Sequence, residues 1–172
     1  DNVYETDELV AQYCEFHYGS EYFSVKNFPV ACVEAIMPHV QGNEIKTDRA
    51  LDLGCAVGRS SFELAKNFQH VDALDFSARF VQQGAKLQAH NRLRYTVPVE
   101  GDIVEYREVL LDKLGYDEVK DRIDFLQGDA CNLKPQFTDY NLVFAGNLID
   151  RLYDPAMFLK DIQERILAGG LL

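Results

Sequence analysis

The chain has 172 residues, 47% of them hydrophobic, and this length suits one domain with a sizeable core. No apolar run approaches the ~20 residues of a membrane span. The net charge of −11 disfavours a nucleic-acid partner and suits a cationic ligand. The cysteines Cys14, Cys32, Cys55 and Cys131 are widely spaced, with no C-x-x-C pair and no histidine at a zinc-like interval. We therefore expect reduced thiols, no metal site, no membrane partner and a cytoplasmic location.

The N-terminal segment, residues 1–45, is predicted to form two helices ahead of the main core. Thr6 can cap a helix over Asp7–Tyr18, and a second helix over Val30–Met37 is expected to end at Pro38. The segment is unusually rich in rings with polar tips. These rings, which include Tyr4, Tyr13, His17 and Tyr18, either pack at the edge of the core or form a lid that excludes water from an active site.

A strand, a glycine turn and a helix follow one another after this segment. Arg49–Leu53 predicts a buried strand, Gly54 and Gly58 predict a turn with little side-chain bulk, and Arg59–Ala65 predicts a helix. This order brings backbone N–H groups towards a ligand at the carboxyl end of a sheet. The next strand, His70–Asp75, ends in a carboxylate about 20 residues on, where such folds bind a ribose hydroxyl. The pairing indicates a nucleoside cofactor.

The glycine pattern discriminates between kinds of nucleotide site. A dinucleotide site needs G-x-G-x-x-G, but Ala56 stands at the second glycine position. A phosphate-binding loop needs G-x-x-x-x-G-K-[ST]. The segment from Gly54 to Ser60 is one residue shorter than this pattern and has Arg59 in place of the lysine. Asp52, Gly54 and Gly58 match D-x-G-x-x-x-G, the pattern with which class I S-adenosylmethionine (SAM) methyltransferases begin. An ordinary strand-to-helix turn remains an alternative at this point.

The middle of the chain contains a predicted insertion. Ala78–Gln88 predicts a helix, and residues 92–120 then interrupt the alternation of strands and helices. Arg94–Val99 is strand-like, and Ile103–Leu114 is predicted to be an amphipathic helix. The insertion contacts substrate or a partner subunit in one hypothesis and has no function in the other.

The last third of the chain predicts the rest of the sheet. Arg122–Gln127 and Tyr140–Gly146 are predicted as the third and fourth strands. A helix is expected over Ala156–Leu167, ended by Gly169 and Gly170, and Leu171–Leu172 should begin a fifth strand. We therefore predict an α/β fold with a mostly parallel Rossmann-like sheet over residues 46–172, helices on both faces and an N-terminal helical lid. The remaining strands of such a sheet are expected to lie beyond residue 172.

Several stretches resemble one family, the C-terminal methyltransferase domain of the ovothiol-synthesising 5-histidylcysteine sulfoxide synthase. They are Tyr4–Asp7, Phe16–Gly19, Asn27–Pro29, Ala50–Ser61 (ALDLGCAVGRSS), Gln127–Leu133 (QGDACNL) and Ala145–Pro155 (AGNLIDRLYDP). The resemblance implies a SAM-dependent enzyme that N-methylates the imidazole ring of the small molecule 4-mercaptohistidine to give ovothiol A. It also implies a pathway partner, an iron-dependent sulfoxide synthase in a separate upstream domain. This chain is too short to include that domain.

The motif and the resemblance together give a set of expected site residues. The cofactor-binding residues are expected to be Asp52, Gly54, Ala56, Gly58, Asp75, Phe76, Ser77, Asp129, Ala130, Cys131 and Asn147. The substrate-binding residues are expected to be His17, Tyr18, Asp150 and Arg151. Asn147, Tyr18 and His17 are the expected catalytic residues. Asp75 is assigned to the ribose, Asp129 and Ala130 to the adenine edge, and Asn147 to the methyl-transfer centre.

Three alternatives to this function stay open at the level of sequence. The first is a SAM-dependent methyltransferase that acts on another small molecule. The second is an NAD-dependent oxidoreductase, and the third is a SAM-binding module without catalysis.

Overall fold

The computed structural model describes residues 3–172 and contains a parallel five-stranded sheet with helices on both faces. The first two residues of the predicted N-terminal segment lie outside this range. The helices are α1 (Asp7–Tyr18), α2 (Phe28–Gly42), α3 (Arg59–Ala65), α4 (Ala78–His90) and α5 (Pro155–Ile162). The strands are β1 (Arg49–Leu53), β2 (His70–Asp75), β3 (Arg92–Glu100), β4 (Ile103–Leu110), β5 (Ile123–Gln127), β6 (Tyr140–Phe144) and β7 (Ile166–Leu171).

The order of strands in the sheet is β5-β2-β1-β6-β7, and every neighbouring pair is parallel. After β1, the chain adds β2 and β5 on one side of this strand, and it then adds β6 and β7 on the other side. Such a reversal opens a crevice at the carboxyl ends of the strands, because the connections leave β1 and β6 towards opposite faces. The predicted α/β, Rossmann-like fold is confirmed.

Side chains alternate between the two faces of the central strands, as a pleated strand requires. Ala50 belongs to a hydrophobic cluster on one face, whereas Leu51 and Leu53 belong to a second cluster on the other. The first cluster includes residues of α1 to α4, and the second includes Phe158 and Ile162 of α5. Both faces of the sheet are therefore covered. None of the helices within residues 3–172 combines the length and apolar character needed to cross a membrane.

The first N-terminal helix begins after its predicted cap, whereas the second begins slightly earlier and ends later than predicted. The Thr6 side chain accepts a hydrogen bond from the Leu9 N–H at 3.3 Å, which confirms the start of α1. Pro38 lies inside α2 rather than at its end. The proline removes one backbone donor. The turn beyond it stays helical because it carries Val40, whose side chain is 1% exposed, into the core.

Residues 92–110 form an antiparallel hairpin, so the predicted helix over Ile103–Leu114 is wrong. Strand β4 pairs with β3 in a separate two-stranded sheet, and Gly101 takes a left-handed φ of +54° at the turn. Arg94 and Glu108 face each other across the strands and form an ion pair. Valine, isoleucine and tyrosine alternate with charged residues here, and this composition favours strands once a partner strand is available.

The fifth strand of the sheet begins earlier than predicted. Helix α5 ends at Ile162, a short 3-10 turn follows, and Ile166 already pairs with Tyr140 of β6. The prediction of a helix to Leu167 is therefore wrong. Pairing with a buried neighbouring strand satisfies the backbone groups of this segment better than one more exposed helical turn would.

Candidate active site

A cavity of about 470 Å³ lies at the carboxyl ends of β1, β2, β5 and β6. Its wall contains the last residues of these strands, the loops that follow them, and residues of α1 and α2. In open α/β sheets this edge, beside the reversal of strand order, is where ligands bind. The volume falls in the usual range for small-molecule sites, about 300–1,000 Å³.

The loop after β1 adopts backbone conformations that suit glycine. Gly54 and Gly58 have φ values of +73° and +95°, and Ala56 between them has +47°. Gly54 and Ala56 line the cavity, as predicted. Gly58 is not among the lining residues that the structure describes, and a Cβ at this position would come within 2.6 Å of the Phe125 ring. Glycine is therefore required there for packing, and the cofactor contact of Gly58 stays a prediction.

Asp75 ties the end of β2 to the glycine loop. Its Oδ2 accepts a hydrogen bond from the Ala56 N–H at 2.9 Å, and its Oδ1 accepts one from the Ser77 N–H at 2.8 Å. Burial raises the pKa of the Asp75 carboxyl, and these backbone donors act in the opposite direction. Asp75, Phe76 and Ser77 all line the cavity. Each carboxylate oxygen has a second lone pair available for a ligand hydroxyl.

Asp52 lies behind the cavity wall rather than in it. Its Oδ2 accepts hydrogen bonds from the hydroxyls of Ser60 and Ser61 at 2.7 and 2.6 Å. Its Oδ1 is buried and has no hydrogen-bond partner among residues 3–172. Burial raises the pKa of Asp52 to about 6, although the two serine hydroxyls oppose this rise. Ser60 does line the cavity, so its hydroxyl links the cavity wall to Asp52 behind it.

The loop after β5 contributes two of the three predicted residues. Asp129 and Ala130 line the cavity. Oδ1 of Asp129 accepts a hydrogen bond from the Cys131 N–H at 2.9 Å, and Oδ2 accepts one from the Tyr153 hydroxyl at 3.3 Å. Cys131 turns away into the hydrophobic cluster under α5, and its thiol contacts the Asp154 carbonyl. The thiol is thus directed away from the cavity, and a cofactor contact of Cys131 stays a prediction.

The loop after β6 places Asn147 and Arg151 in the cavity wall. Asn147 holds a left-handed φ of +57°, a conformation that few residues other than glycine and asparagine adopt readily. Arg151 donates a hydrogen bond to the Tyr4 hydroxyl at 3.3 Å and pairs with Asp150 at 3.2 Å. Asp150 itself is exposed and lies outside the lining residues in the described chain, and its contact with substrate stays a prediction.

The polar side-chain atoms of His17 and Tyr18 have different hydrogen-bond partners, and only His17 lines the cavity. The Tyr18 hydroxyl is buried and donates to the Val57 carbonyl at 2.7 Å, and the side chain is absent from the described cavity wall. This bond occupies the Tyr18 hydroxyl, so the catalytic and substrate-binding role of Tyr18 stays a prediction without a direct contact in the cavity wall. His17 does line the cavity, and its Nδ1 accepts a hydrogen bond from the Arg59 N–H at 3.3 Å.

Aromatic side chains form much of the remaining wall, and sequence reasoning found only some of them. Tyr4 and Tyr13 belong to the ring-rich segment singled out in the sequence, and both line the cavity. Phe80 was missed; its ring centroid lies 4.4 Å from that of Tyr13. Phe28 and Cys32 of α2 were missed too. Each sits on the apolar stripe of a helix, where the sequence offers no signal to separate a cavity wall from a closed core.

A group of possible metal ligands lies outside this cavity. Side-chain atoms of His70, Asp72 and Asp124 come within 4.8 Å of one another. Asp72 already accepts hydrogen bonds from Arg49, His70 and Tyr140 at 2.8, 3.1 and 2.6 Å. These contacts describe an ion-pair network that joins strands, so the absence of a metal site stays a prediction.

The sequence profile of a family described as a methyltransferase domain matches residues 51–172, which is most of the chain. The chain belongs to this family. The match begins inside β1 and includes the glycine loop, Asp75 and the other four strands of the parallel sheet. The comparison with curated protein sequences found no match to this chain.

Solved structures of other proteins share the fold of this methyltransferase domain. A candidate SAM-dependent methyltransferase from Methanococcus maripaludis superposes with a TM-score of 0.63 over 99% of the chain at 20% identity. The glycopeptide N-methyltransferase MtfA gives 0.59 over 87% at 17% identity. A SAM-dependent methyltransferase from Clostridium acetobutylicum gives 0.56 over 86% at 16% identity. The chain spans 63%, 54% and 49% of these three proteins, less than two thirds of each. At such identities the likeness concerns the fold.

Proposed function

We propose that this domain binds SAM and transfers its methyl group to a small molecule. The observation that supports this most directly is the cavity in which Asp75 meets the glycine loop. Asp75 and Asp129 make its wall acidic, and Arg151 is the only lysine or arginine among the described lining residues. A positively charged sulfonium suits this charge better than the pyrophosphate of NAD does. SAM dependence is also what family membership favours.

The chain's residues fit the groups that SAM presents. Asp75 accepts from the ribose hydroxyls, and the exposed ring of Phe76 packs against the adenine. Asp129 accepts from the adenine amine, and the small side chain of Ala130 leaves space for the ring. The unpartnered Oδ1 of Asp52 suits the ammonium group. When bound, SAM supplies an electrophilic methyl group.

The acceptor that we propose is 4-mercaptohistidine, and its methylated product is ovothiol A. The support for this substrate is the sequence resemblance, which includes the segment Ala145–Pro155 around the cavity wall. Arg151 is a suitable partner for the carboxylate of an amino acid. Asn147 faces the acceptor from the end of β6. The cavity of about 470 Å³ has to hold cofactor and acceptor together, which favours a small acceptor.

The protein contributes to this methyl transfer mainly by positioning the two reactants. An imidazole with an ordinary pKa of about 6.5 is largely neutral in the cell, so one ring nitrogen already offers a lone pair without a general base. Well-oriented reactants reach effective molarities of about 10⁵–10⁸ M. The thiolate of the substrate is the better nucleophile, so the wall must aim the ring nitrogen at the methyl group. Tyr13, Phe28 and Phe80 exclude water and restrict the orientation of a ring.

The pathway partner that we propose is the sulfoxide synthase that the resemblance implies, acting upstream as a separate domain. The net charge of −11 argues against nucleic acid as the acceptor.

The test is methyl transfer from SAM to 4-mercaptohistidine, histidine and a panel of thiols, with the product mapped by mass spectrometry. We expect a methyl group on a ring nitrogen of 4-mercaptohistidine. Transfer only to another acceptor would keep the methyltransferase and replace the substrate. Thermal stabilisation by NAD but not by S-adenosylhomocysteine would favour an oxidoreductase. Cofactor binding without turnover of any acceptor would favour a non-catalytic module.

A variant tests the substrate subsite. Arg151→Ala should raise the KM for the amino-acid acceptor by about tenfold, since a charge-assisted hydrogen bond contributes roughly 1.5–3 kcal/mol. Its affinity for S-adenosylhomocysteine should not change. Arg94→Ala is the matched control, because Arg94 also forms an ion pair but lies on the exposed hairpin. Equal effects of both variants on KM would contradict the assignment.

A further inference from the structure

His17 is held firmly by its backbone and by its ring. Its side chain is 5% exposed and lies at the end of α1. The Asn27 side chain caps α2 and also donates to the His17 carbonyl at 2.9 Å, which fixes the end of α1 against the start of α2. The Arg59 N–H donates to Nδ1 at 3.3 Å. The ring therefore has little freedom to turn.

The hydrogen bond at Nδ1 determines what the other ring nitrogen can do. A neutral imidazole has one nitrogen that accepts and one that donates. Because Nδ1 accepts from a backbone N–H, the proton must lie on Nε2. Burial, together with the neighbouring Arg59 guanidinium, lowers the pKa of His17 to about 3, so the ring stays neutral. No residue within 3–172 forms a hydrogen bond with Nε2, and His17 lines the cavity. The side chain thus offers one fixed donor and no base.

The donor on His17 and the acceptor on Asp52 are joined by two consecutive residues. The backbone N–H of Arg59 binds His17, and the hydroxyl of Ser60 binds Asp52 at 2.7 Å. Ser60 lines the cavity, and so does His17, whereas Asp52 lies behind the wall. A neutral donor at the cavity, linked through Ser60 to a buried carboxylate, matches an α-amino acid group, which has one carboxylate and one ammonium.

We propose that His17 Nε2–H binds the carboxylate of the cofactor's methionyl group, as one half of an amino-acid subsite that Asp52 completes. This inference rests on the proposed use of SAM. It assigns His17 to cofactor binding, and it excludes His17 from proton abstraction. The carboxylate of the acceptor is left to Arg151, in the loop after β6.

The test compares two ligands by calorimetry. S-adenosylhomocysteine carries the amino-acid group, whereas 5′-methylthioadenosine has the same nucleoside and sulfur without it. His17→Ala should weaken the binding of S-adenosylhomocysteine by at least about tenfold, because a hydrogen bond to a charged group is lost. It should leave the affinity for methylthioadenosine unchanged, and this second ligand also shows that the variant is folded.

Two further substitutions separate the two ring nitrogens. His17→Gln places an amide donor near the position of Nε2 and should recover part of the affinity. His17→Asn places its amide near Nδ1 and should not. His39→Ala, an exposed histidine of α2, is the control and should behave like the wild type. Nitrogen NMR of the wild type should show an imidazole protonated at Nε2.

The outcomes distinguish this inference from the proposed function. A wild-type protein that binds neither ligand would overturn the use of SAM itself. A wild type that binds both, with a His17→Ala variant that keeps its affinity for S-adenosylhomocysteine, would overturn only the role of His17. Equal losses for both ligands would also overturn it, since His17 would then support the fold rather than the amino-acid group. An NMR spectrum that shows the His17 imidazole protonated at Nδ1 would also overturn the role of His17.

Discussion

The backbone N–H of Ala56 donates a hydrogen bond to Oδ2 of Asp75 at 2.9 Å. Asp75 ends β2, Ala56 lies in the loop after the neighbouring parallel strand β1, and Ala56 holds a left-handed φ of +47° at this contact. One carboxylate thus shapes the loop that borders the cavity and also remains part of the cavity wall. The site is built before any ligand arrives, which reduces the cost of ordering the loop on binding.

Asp75→Ala should weaken the binding of S-adenosylhomocysteine by at least about tenfold, because it removes the acceptor for the ribose and leaves the Ala56 N–H without its partner. Isothermal calorimetry measures this directly. Asp124→Ala, at an exposed aspartate of β5, is the control and should bind normally. Unchanged affinity in a folded Asp75→Ala protein would remove Asp75 from the site.

The unliganded protein should lose stability as the pH rises from 3.8 to about 6, because Asp52 binds its proton more tightly when folded than when unfolded. The shift corresponds to roughly 3 kcal/mol at its upper limit. Asp52→Asn does not titrate and should lack this component. Urea denaturation of both proteins across this range gives the difference. Parallel stability curves for the two would contradict the raised pKa of Asp52.

Gly84→Ala should destabilise the protein by about 1–2 kcal/mol, although alanine normally favours a helix by about 1 kcal/mol over glycine. A Cβ on Gly84 would come within 2.6 Å of the Phe125 ring, which also packs against Gly58. Gly42 of α2 is the matched control, since a Cβ there meets nothing within 4 Å. Chemical denaturation should show Gly42→Ala neutral or slightly stabilising. Equal effects of the two substitutions would show that the Phe125 contact is not decisive.

Tyr18→Phe should lower the free energy of unfolding by about 1–3 kcal/mol, since it leaves the buried Val57 carbonyl without its donor. The affinity for S-adenosylhomocysteine should change little, because the Tyr18 hydroxyl points into the protein. Thermal unfolding and calorimetry measure the two effects separately. A large loss of turnover at unchanged stability would instead restore the catalytic role predicted from sequence.

Sequence alone determined the parts of this protein that depend on neighbouring residues. The strand Arg49–Leu53, the glycine turn, the helix after it and the acid at Asp75 are local patterns, since each is set by composition and spacing within a few residues. These patterns were sufficient for the fold and for a nucleoside site. The family resemblance supplied a proposed acceptor that no spacing could have indicated.

Only the tertiary structure decided the features that depend on contacts between distant parts of the chain. Ile103–Leu110 is a strand because β3 lies beside it, and the Tyr18 hydroxyl is turned into the protein because it donates a hydrogen bond to the Val57 carbonyl. The cavity wall joins Tyr4 to Arg151, which are 147 residues apart. A short apolar segment can be a core or a cavity wall, and its sequence is the same in both. The elements that pack against such a segment determine whether it is core or cavity wall, and this packing exists only in the folded chain.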